Sequence, residues 1–558
     1  MVLAIGSARS AAAADAPLTV GEVRIVTDDI FETREVEEAS GALLLLRRAM
    51  NGVHLNTRHY VIRRELLFHT GDPFDPALLE ETERNLRDLG FLNNIRVTAI
   101  DTTAAGRVNV LVRTREAWTL RTSFSYSLAS GGDQRWNVQL ADVNFLGHGV
   151  TVGAGVGADE NASFWNLWYR QRRLFRAGFW LGIDYSQRGD GHVRQVIFNR
   201  PFYALDDPWG SEFRAWDKEY DQRFFLSNAG PAGLDPAAGS SLHAPLAYRE
   251  KGLEARFQWR LSAPREGRVW RFGGGIDVTD QAFHEDLHAV ELSDDRVVDL
   301  TWLEDENQPY VRETGVEVQP FLWLRTEGRR WRKARFVLQY GPVEDVPLDW
   351  EADVRTGPVG GQVGSTTGYG DTRWRTRATA TRWFAAPDGY LLVHGNAYGD
   401  LGSRRVRTYR YDAIVGWVAR RGAELSPWLT RVFAEYAQGG ALLGSEAHVL
   451  GLDRGLRTLD FDGMAGDHLV RWNVEQGKVL PSEPLGLVRV GFAAFYSGGR
   501  AWWRDEQAGP GAVRHEAGFG IRFGPTRSAN SQVARIDLAW DLNGDGRPVL
   551  TATTRGYF

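Results

Sequence analysis

From residue 118 to the end of the chain, apolar and polar side chains alternate with a period of two. In residues 178–186, Phe179, Leu181, Ile183 and Tyr185 share one face. In 468–476, Val470, Trp472 and Val474 oppose Arg471, Asn473 and Glu475. Val488, Val490, Phe492 and Tyr496 oppose Arg489 and Ser497, and Ile536, Leu538, Trp540 and Leu542 oppose Arg535, Asp537 and Asp541. This period places alternate residues on opposite faces of a strand and argues against helix. A soluble sandwich alternates too. Three features favour a membrane barrel: Trp and Tyr near strand ends, charges suited to a wet lumen on the other face, and a strand-like end closing on the aromatics Tyr557 and Phe558. About 16 to 20 segments qualify as strands, each spanning strand needing about 9–11 residues. Hairpins within long loops, around 228–246 and 282–310, would account for an excess.

Composition agrees. Gly (62 residues), Phe (27), Trp (21) and Tyr (17) are abundant, as suits short strands and turns. The chain has no Cys, which excludes a disulfide framework and any thiolate metal site. A net charge of -5 without a basic patch speaks against nucleic acid as a partner. No apolar run reaches the roughly 20 residues of a membrane-spanning helix.

The first part of the chain differs. Residues 1–16 read as a signal-peptide remnant or a disordered tail. Residues 17–117 read as a small α+β domain in the order strand, helices, strand, strand. Leu18 to Val26 alternates as a strand, residues 36–50 are helix-like with Leu43, Leu44, Leu45 and Leu46, and a helix covers about 57–68. Gly71-Asp72-Pro73-Phe74 is a turn, after which Asp75 caps a helix with Pro76 at its first position. Gly90 suits its end, and strands over Asn94 to Ile100 and Arg107 to Thr114 follow.

The segment YVIRRELLFHTGDPFDPALLEETERNLRDLGFLNNIRV, with its VIRREL helix, GDPF turn and LRDLGF helix end, resembles a POTRA domain. Residues 451–500 resemble the late barrel of the BamA/TamA superfamily, where a long extracellular loop folds an Arg-Gly-aromatic tip into the lumen. Here that tip is Gly455-Leu456-Arg457-Thr458-Leu459. Arg457 matches the family arginine, while Thr458 and Leu459 replace the glycine and aromatic. Ser497 stands where the family has Asp. A buried arginine needs a carboxylate; Glu475 is the preferred partner and inward-facing Glu516 the alternative. Asn144-Phe145-Leu146-Gly147-His148-Gly149 matches the family's Asn-x-x-Gly-x-Gly turn.

The resemblance implies one periplasmic POTRA domain ahead of a 16-stranded antiparallel barrel over 118–558, in the bacterial outer membrane. It implies insertion or translocation of unfolded outer-membrane or secreted clients, with outer-membrane lipids and accessory periplasmic or lipoprotein subunits as further partners. No covalent chemistry or cofactor is implied. A client strand would template on a seam between residues 119–127 and 549–557. Secretion of a dedicated partner, as in two-partner transporters, and a passive surface antigen are alternatives.

Other motifs read as decoys. His284-Glu285-Asp286-Leu287-His288 fits the zinc-protease pattern, but its acidic flanks suit a surface loop better than a buried catalytic helix. Asp541, Asn543, Asp545 and Gly546 begin like a calcium loop, yet Ala552 stands where the bidentate Glu belongs. Gly153, Gly155 and Gly157 lie in a strand pattern with no following helix.

Overall fold

The computed structural model describes residues 17–554, apart from 129–133, 160, 176–177, 227–242, 266, 284–287, 293–295, 302–314, 364–372, 403–405, 441, 443, 453, 505–512, 530–531 and 545. The small domain begins with β1 (Thr19–Asp28), followed by α1 (Thr33–Glu37), α2 (Gly41–Val53), α3 (His59–Glu65) and α4 (Pro76–Asp88). It ends with β2 (Leu92–Thr102) and β3 (Arg107–Glu116), in a sheet ordered β1-β3-β2. Leu79, Thr82 and Leu86 form the buried face of α4, packed with Val61, Ile62, Phe91, Val97, Val110 and Val112.

The start of α4 follows from Asp75, whose carboxylate accepts the Ala77 N–H at 3.0 Å, with Pro76 at a position that has no helical hydrogen bond to lose. Asp75→Ala is expected to cost about 1 kcal/mol and to speed hydrogen exchange in the first turn of α4 about fivefold.

The remaining strands close a barrel. Numbered 1 to 20 in chain order, they are Leu120–Leu128, Gln134–Asp142, Val150–Ala158, Ser163–Leu174, Phe179–Arg188, Gly191–Arg200, Trp209–Phe225, His243–Arg260, Val269–Phe283, Gly315–Glu327, Glu351–Val363, Arg373–Ala386, Gly389–Gly402, Val406–Ala423, Ser426–Gly440, His468–Val479, Val488–Trp502, Arg514–Pro525, Ala534–Asp541 and Pro548–Thr553. Each pairs antiparallel with the next, and strand 20 returns to strand 1. The barrel therefore has 20 strands and not the expected 16. A period of two fixes the face a residue takes, but not how many hairpins cut the alternating stretch. Tight turns such as those joining Arg188 to Gly191 and Ala386 to Gly389 add strands without long loops. Part of 282–310 does form a short hairpin outside the barrel, Val290–Glu291 with Val297–Val298, whereas His243–Leu246 belongs to strand 8.

Burial is inverted relative to a soluble protein. Phe519 and Leu322 are 57% and 56% exposed, while Arg522 and Glu516 are 0% exposed. Apolar side chains face outward around the barrel, and ionised ones fill the interior in pairs. Such a surface is stable against lipid, and closure pairs strand with strand around the ring.

Candidate functional site

The loop between strands 15 and 16 folds back into the lumen. Leu450, Leu456 and Leu459 are buried against Ala437, Leu469 and Ala501 of the wall, which drives the tip inward. Gly455 takes φ +135°, and a Cβ there would approach Leu450 to 2.8 Å, so the tip needs glycine. The loop is tied across the far mouth as well. Asp462 takes Arg135 of strand 2 at 3.2 Å and Arg223 of strand 7, and Arg135 lies over the Phe461 ring.

Arg457 reaches into the wall from this tip. Its Nε donates to Asp537 at 2.9 Å and its NH1 to Glu516 at 2.8 Å, while the guanidinium lies 3.9 Å from the Phe495 ring centre. Thr458 reinforces the contact: its N–H donates to Glu516 at 3.1 Å and its hydroxyl at 3.3 Å. Asp537 also takes Arg522, Arg522 donates to Glu475 at 2.6 Å, and Arg431 donates to Glu475 at 3.3 Å. Three carboxylates and three arginines thus alternate along one buried ladder. Each charge has an opposite neighbour, which offsets the cost of removing it from water.

The expected lumen residues are therefore neighbours, with different pairings. Glu475 serves Arg522 and Arg431, and Arg457 takes Glu516 and Asp537. Register explains this. Asn473, Ser497 and Glu516 stand level across strands 16 to 18, whereas Glu475 stands level with Phe495, two residues, or about 7 Å, nearer the small domain. Ser497 is buried and accepts from Asn473 Nδ2 at 2.8 Å. The carboxylate that the resemblance places at Ser497 is supplied one strand over, by its register partner Glu516. Asp537, Arg522 and Arg431 were absent from the expected set, although their alternation already put Asp537 on the wet face.

The barrel closes between its last and first strands. Strands 7 and 8 stay in register from Trp209–Trp259 to Phe225–His243, but strands 20 and 1 pair only at Ala552–Tyr126 and Thr553–Ser125 among the described residues. A hydroxyl contact, Ser123 to Thr554 at 2.9 Å, adds to it. A cavity of about 510 Å³ lies behind this seam, lined by Ser127, Thr551 and Thr553 on one side and by the lid loop on the other. Tyr557 and Phe558 lie outside the described residues.

The small domain sits against the near mouth. Its core takes in Val143 and Ala529 from barrel turns. Glu65, buried, is bonded by Arg173 at 2.9 and 2.7 Å, and Asn85 donates to the Tyr203 carbonyl at 2.8 Å. Gly147, in the turn between strands 2 and 3, has φ +75° and lies so close to the Asn56 carbonyl that a Cβ would collide with it. Gly147→Ala is expected to weaken docking by about 1–3 kcal/mol. The readout is faster hydrogen exchange of the Arg58 amide, which donates to the Gly147 carbonyl at 3.0 Å. Gly52→Ala, where a Cβ meets nothing, leaves that amide unchanged.

Among the described residues, no group of three or more His, Asp or Glu is placed to hold a metal ion. His284 and Glu285 lie outside them, and His288 is an exposed side chain 3.5 Å from Asp299. Asp541 accepts the Asn543 N–H at 2.8 Å, as in an Asx turn.

Residues 49–117 match the family described as POTRA, surface antigen variable number repeat. No curated protein matches the chain. Among solved structures, BamA from Haemophilus ducreyi lacking POTRA domains 1–3 is 13% identical, with 96% of this chain and 84% of that one covered and a TM-score of 0.38. CdiB from Acinetobacter baumannii is 12% identical over 96% and 73%, with a TM-score of 0.43. CdiB from Escherichia coli is 10% identical over 98% and 92%, with a TM-score of 0.40. Scores this low carry no functional inference.

Proposed function

We propose that this chain, in which a POTRA domain is joined to a closed, apolar-coated barrel, is an outer-membrane protein of the BamA/TamA superfamily with that domain in the periplasm, and that it assembles client proteins into the membrane through the seam between strands 20 and 1. The observation that supports this reading is the closing seam itself, where strands 20 and 1 meet at Ala552–Tyr126 and Thr553–Ser125 with a cavity behind them. When a seam parts, unpaired backbone groups at membrane depth are costly, so a client strand that supplies partners to the opened edges is bound by them.

Two edges suit such a client in turn. In the POTRA sheet, β2 is an outer strand, and Ala99–Thr102 at its end are exposed. An extended client segment could add there and then pass to strand 1. The lid loop, held by Arg457 and tied to strands 2 and 7 through Asp462, spans the far mouth, which favours lateral release over passage through the lumen. Secretion through the lumen would require that loop to leave.

The test is reconstitution of the full chain in liposomes with a urea-unfolded outer-membrane barrel as client. Client that becomes heat-resistant and protease-protected in the bilayer supports assembly. Client recovered inside the vesicles replaces it with secretion. No acceleration over empty liposomes removes both.

A further inference from the structure

The connection between strands 10 and 11 departs from the barrel's own pattern. Periplasmic connections in such barrels are short turns, and the neighbouring one joins Ala386 directly to Gly389. Residues 328–350 instead form a strap, with Trp331–Ala334 paired to Glu344–Pro347 and the intervening tip turned into the barrel. Phe336 and Tyr340 at this tip are almost completely buried, clustered with Leu429 of strand 15, Val479 of strand 16 and Val533 before strand 19. Tyr340 lies against Gly491 and Gly524, where a side chain would displace it. On the other side, Val337 and Val346 pack on Trp383, Leu392 and Val418 of strands 12 to 14. The strap thus lies inside the near mouth along strands 12 to 18.

Its conformation is held in a specific way. The Glu344 carboxylate accepts the N–H groups of Val337 at 3.0 Å and Leu338 at 2.8 Å, which fixes the tip. Phe336 has φ +64°, a left-handed conformation that a bulky residue adopts only when its surroundings impose it. The tip also reaches the charged ladder, with Arg431 over the Tyr340 ring.

The POTRA domain grips the base of the same strap. Arg87 of α4 forms a two-bond pair with Asp345, at 2.6 and 2.9 Å. Glu83, one turn earlier, pairs with Lys333, and Arg84 lies over the Trp331 ring. Burial pushes the Glu83 carboxyl up, but Lys333, the Val97 N–H and Arg87 more than reverse this and hold it below its usual value. Planar two-bond Arg–carboxylate pairs fix orientation as well as distance.

We propose that this strap is a second plug, at the periplasmic mouth, and that the POTRA domain keeps it seated through Arg87–Asp345 and Glu83–Lys333. Phe336 and Tyr340 are the residues that fill the mouth. A POTRA movement that admits a client unseats them at the same time. The proposal rests on the client-assembly reading, and deepens it by naming what opens the near side.

The absence of cysteine makes the test clean. Val337→Cys puts a single thiol under the seated strap, and its labelling by a membrane-impermeant maleimide in proteoliposomes reports unseating. Arg87→Ala and Asp345→Ala are each expected to raise the labelling rate about tenfold, and together no more than Arg87→Ala alone, which already removes the Asp345 pair along with the 3.3 Å contact to Glu83. Heat-modifiability of the barrel confirms that each variant is folded. Unchanged labelling in the single variants, or a double variant labelled well above Arg87→Ala, overturns the proposal. No client is present, so this failure is distinct from failure of the assembly reading.

Discussion

Tyr126→Cys combined with Ala552→Cys, once oxidised, is expected to slow client assembly at least about tenfold, and a reductant to restore it. The two residues are register partners across the seam. Antiparallel partners stand about 4.5–5.5 Å apart at Cα, inside the range that a disulfide spans without distortion. The bond adds nothing to a wall that never opens, so any loss measures opening. Ala352→Cys with Ala380→Cys, partners on strands 11 and 12, provides the control. There the ladder runs unbroken from Glu351–Thr381 to Val359–Arg373, and locking it should leave the rate unchanged. Equal loss at both positions would mean that the barrel must deform as a whole.

Arg457→Ala is expected to release the lid loop. Glu516 and Asp537 are both buried, and removing one member of a buried ion pair costs about 3–5 kcal/mol because the other is left uncompensated. The protein avoids that cost by letting the loop leave and water enter. A difference of about 3 kcal/mol raises the undocked population about 100-fold. Protease cleavage within the loop, measured on whole cells, should rise accordingly. Glu516→Gln in the same chain should recover part of the loss. Asp537 does not need the same treatment, since it retains Arg522. Arg457→Lys should fall between, because an ammonium cannot span two carboxylates while stacking on Phe495. A loop that stays protease-resistant in Arg457→Ala would mean that Leu450, Leu456 and Leu459 suffice to hold it.

Much of this architecture is legible in the residues. The helix start at Asp75-Pro76 has a local cause, and α4 begins there. The two faces of strands 16 to 19 follow from alternation, so Arg522, Glu475 and Asp537 can be assigned to the lumen without coordinates. Depth is different. Which carboxylate meets Arg457 depends on how far each strand is shifted against the next, and no single strand's sequence records that shift. The same limit explains the strand number, because alternation continues through a tight turn such as that between Arg188 and Gly191. The strap was hidden for another reason. Arg329 to Arg335 is rich in cations and reads as an exposed turn, yet Asp206, Asp349 and Glu83 neutralise Arg329, Arg330 and Lys333. Its buried apolar residues are few, Phe336, Val337 and Tyr340 at the tip and Val346 at the base.

Photocrosslinking in living cells tests the seam most directly. A photoreactive residue placed at Ser125, on the edge of strand 1, should capture unfolded outer-membrane clients. The same residue at Leu253, which is exposed on strand 8 between two unbroken ladders, should capture none. Client adducts at neither position, or equally at both, would contradict a lateral opening between strands 20 and 1.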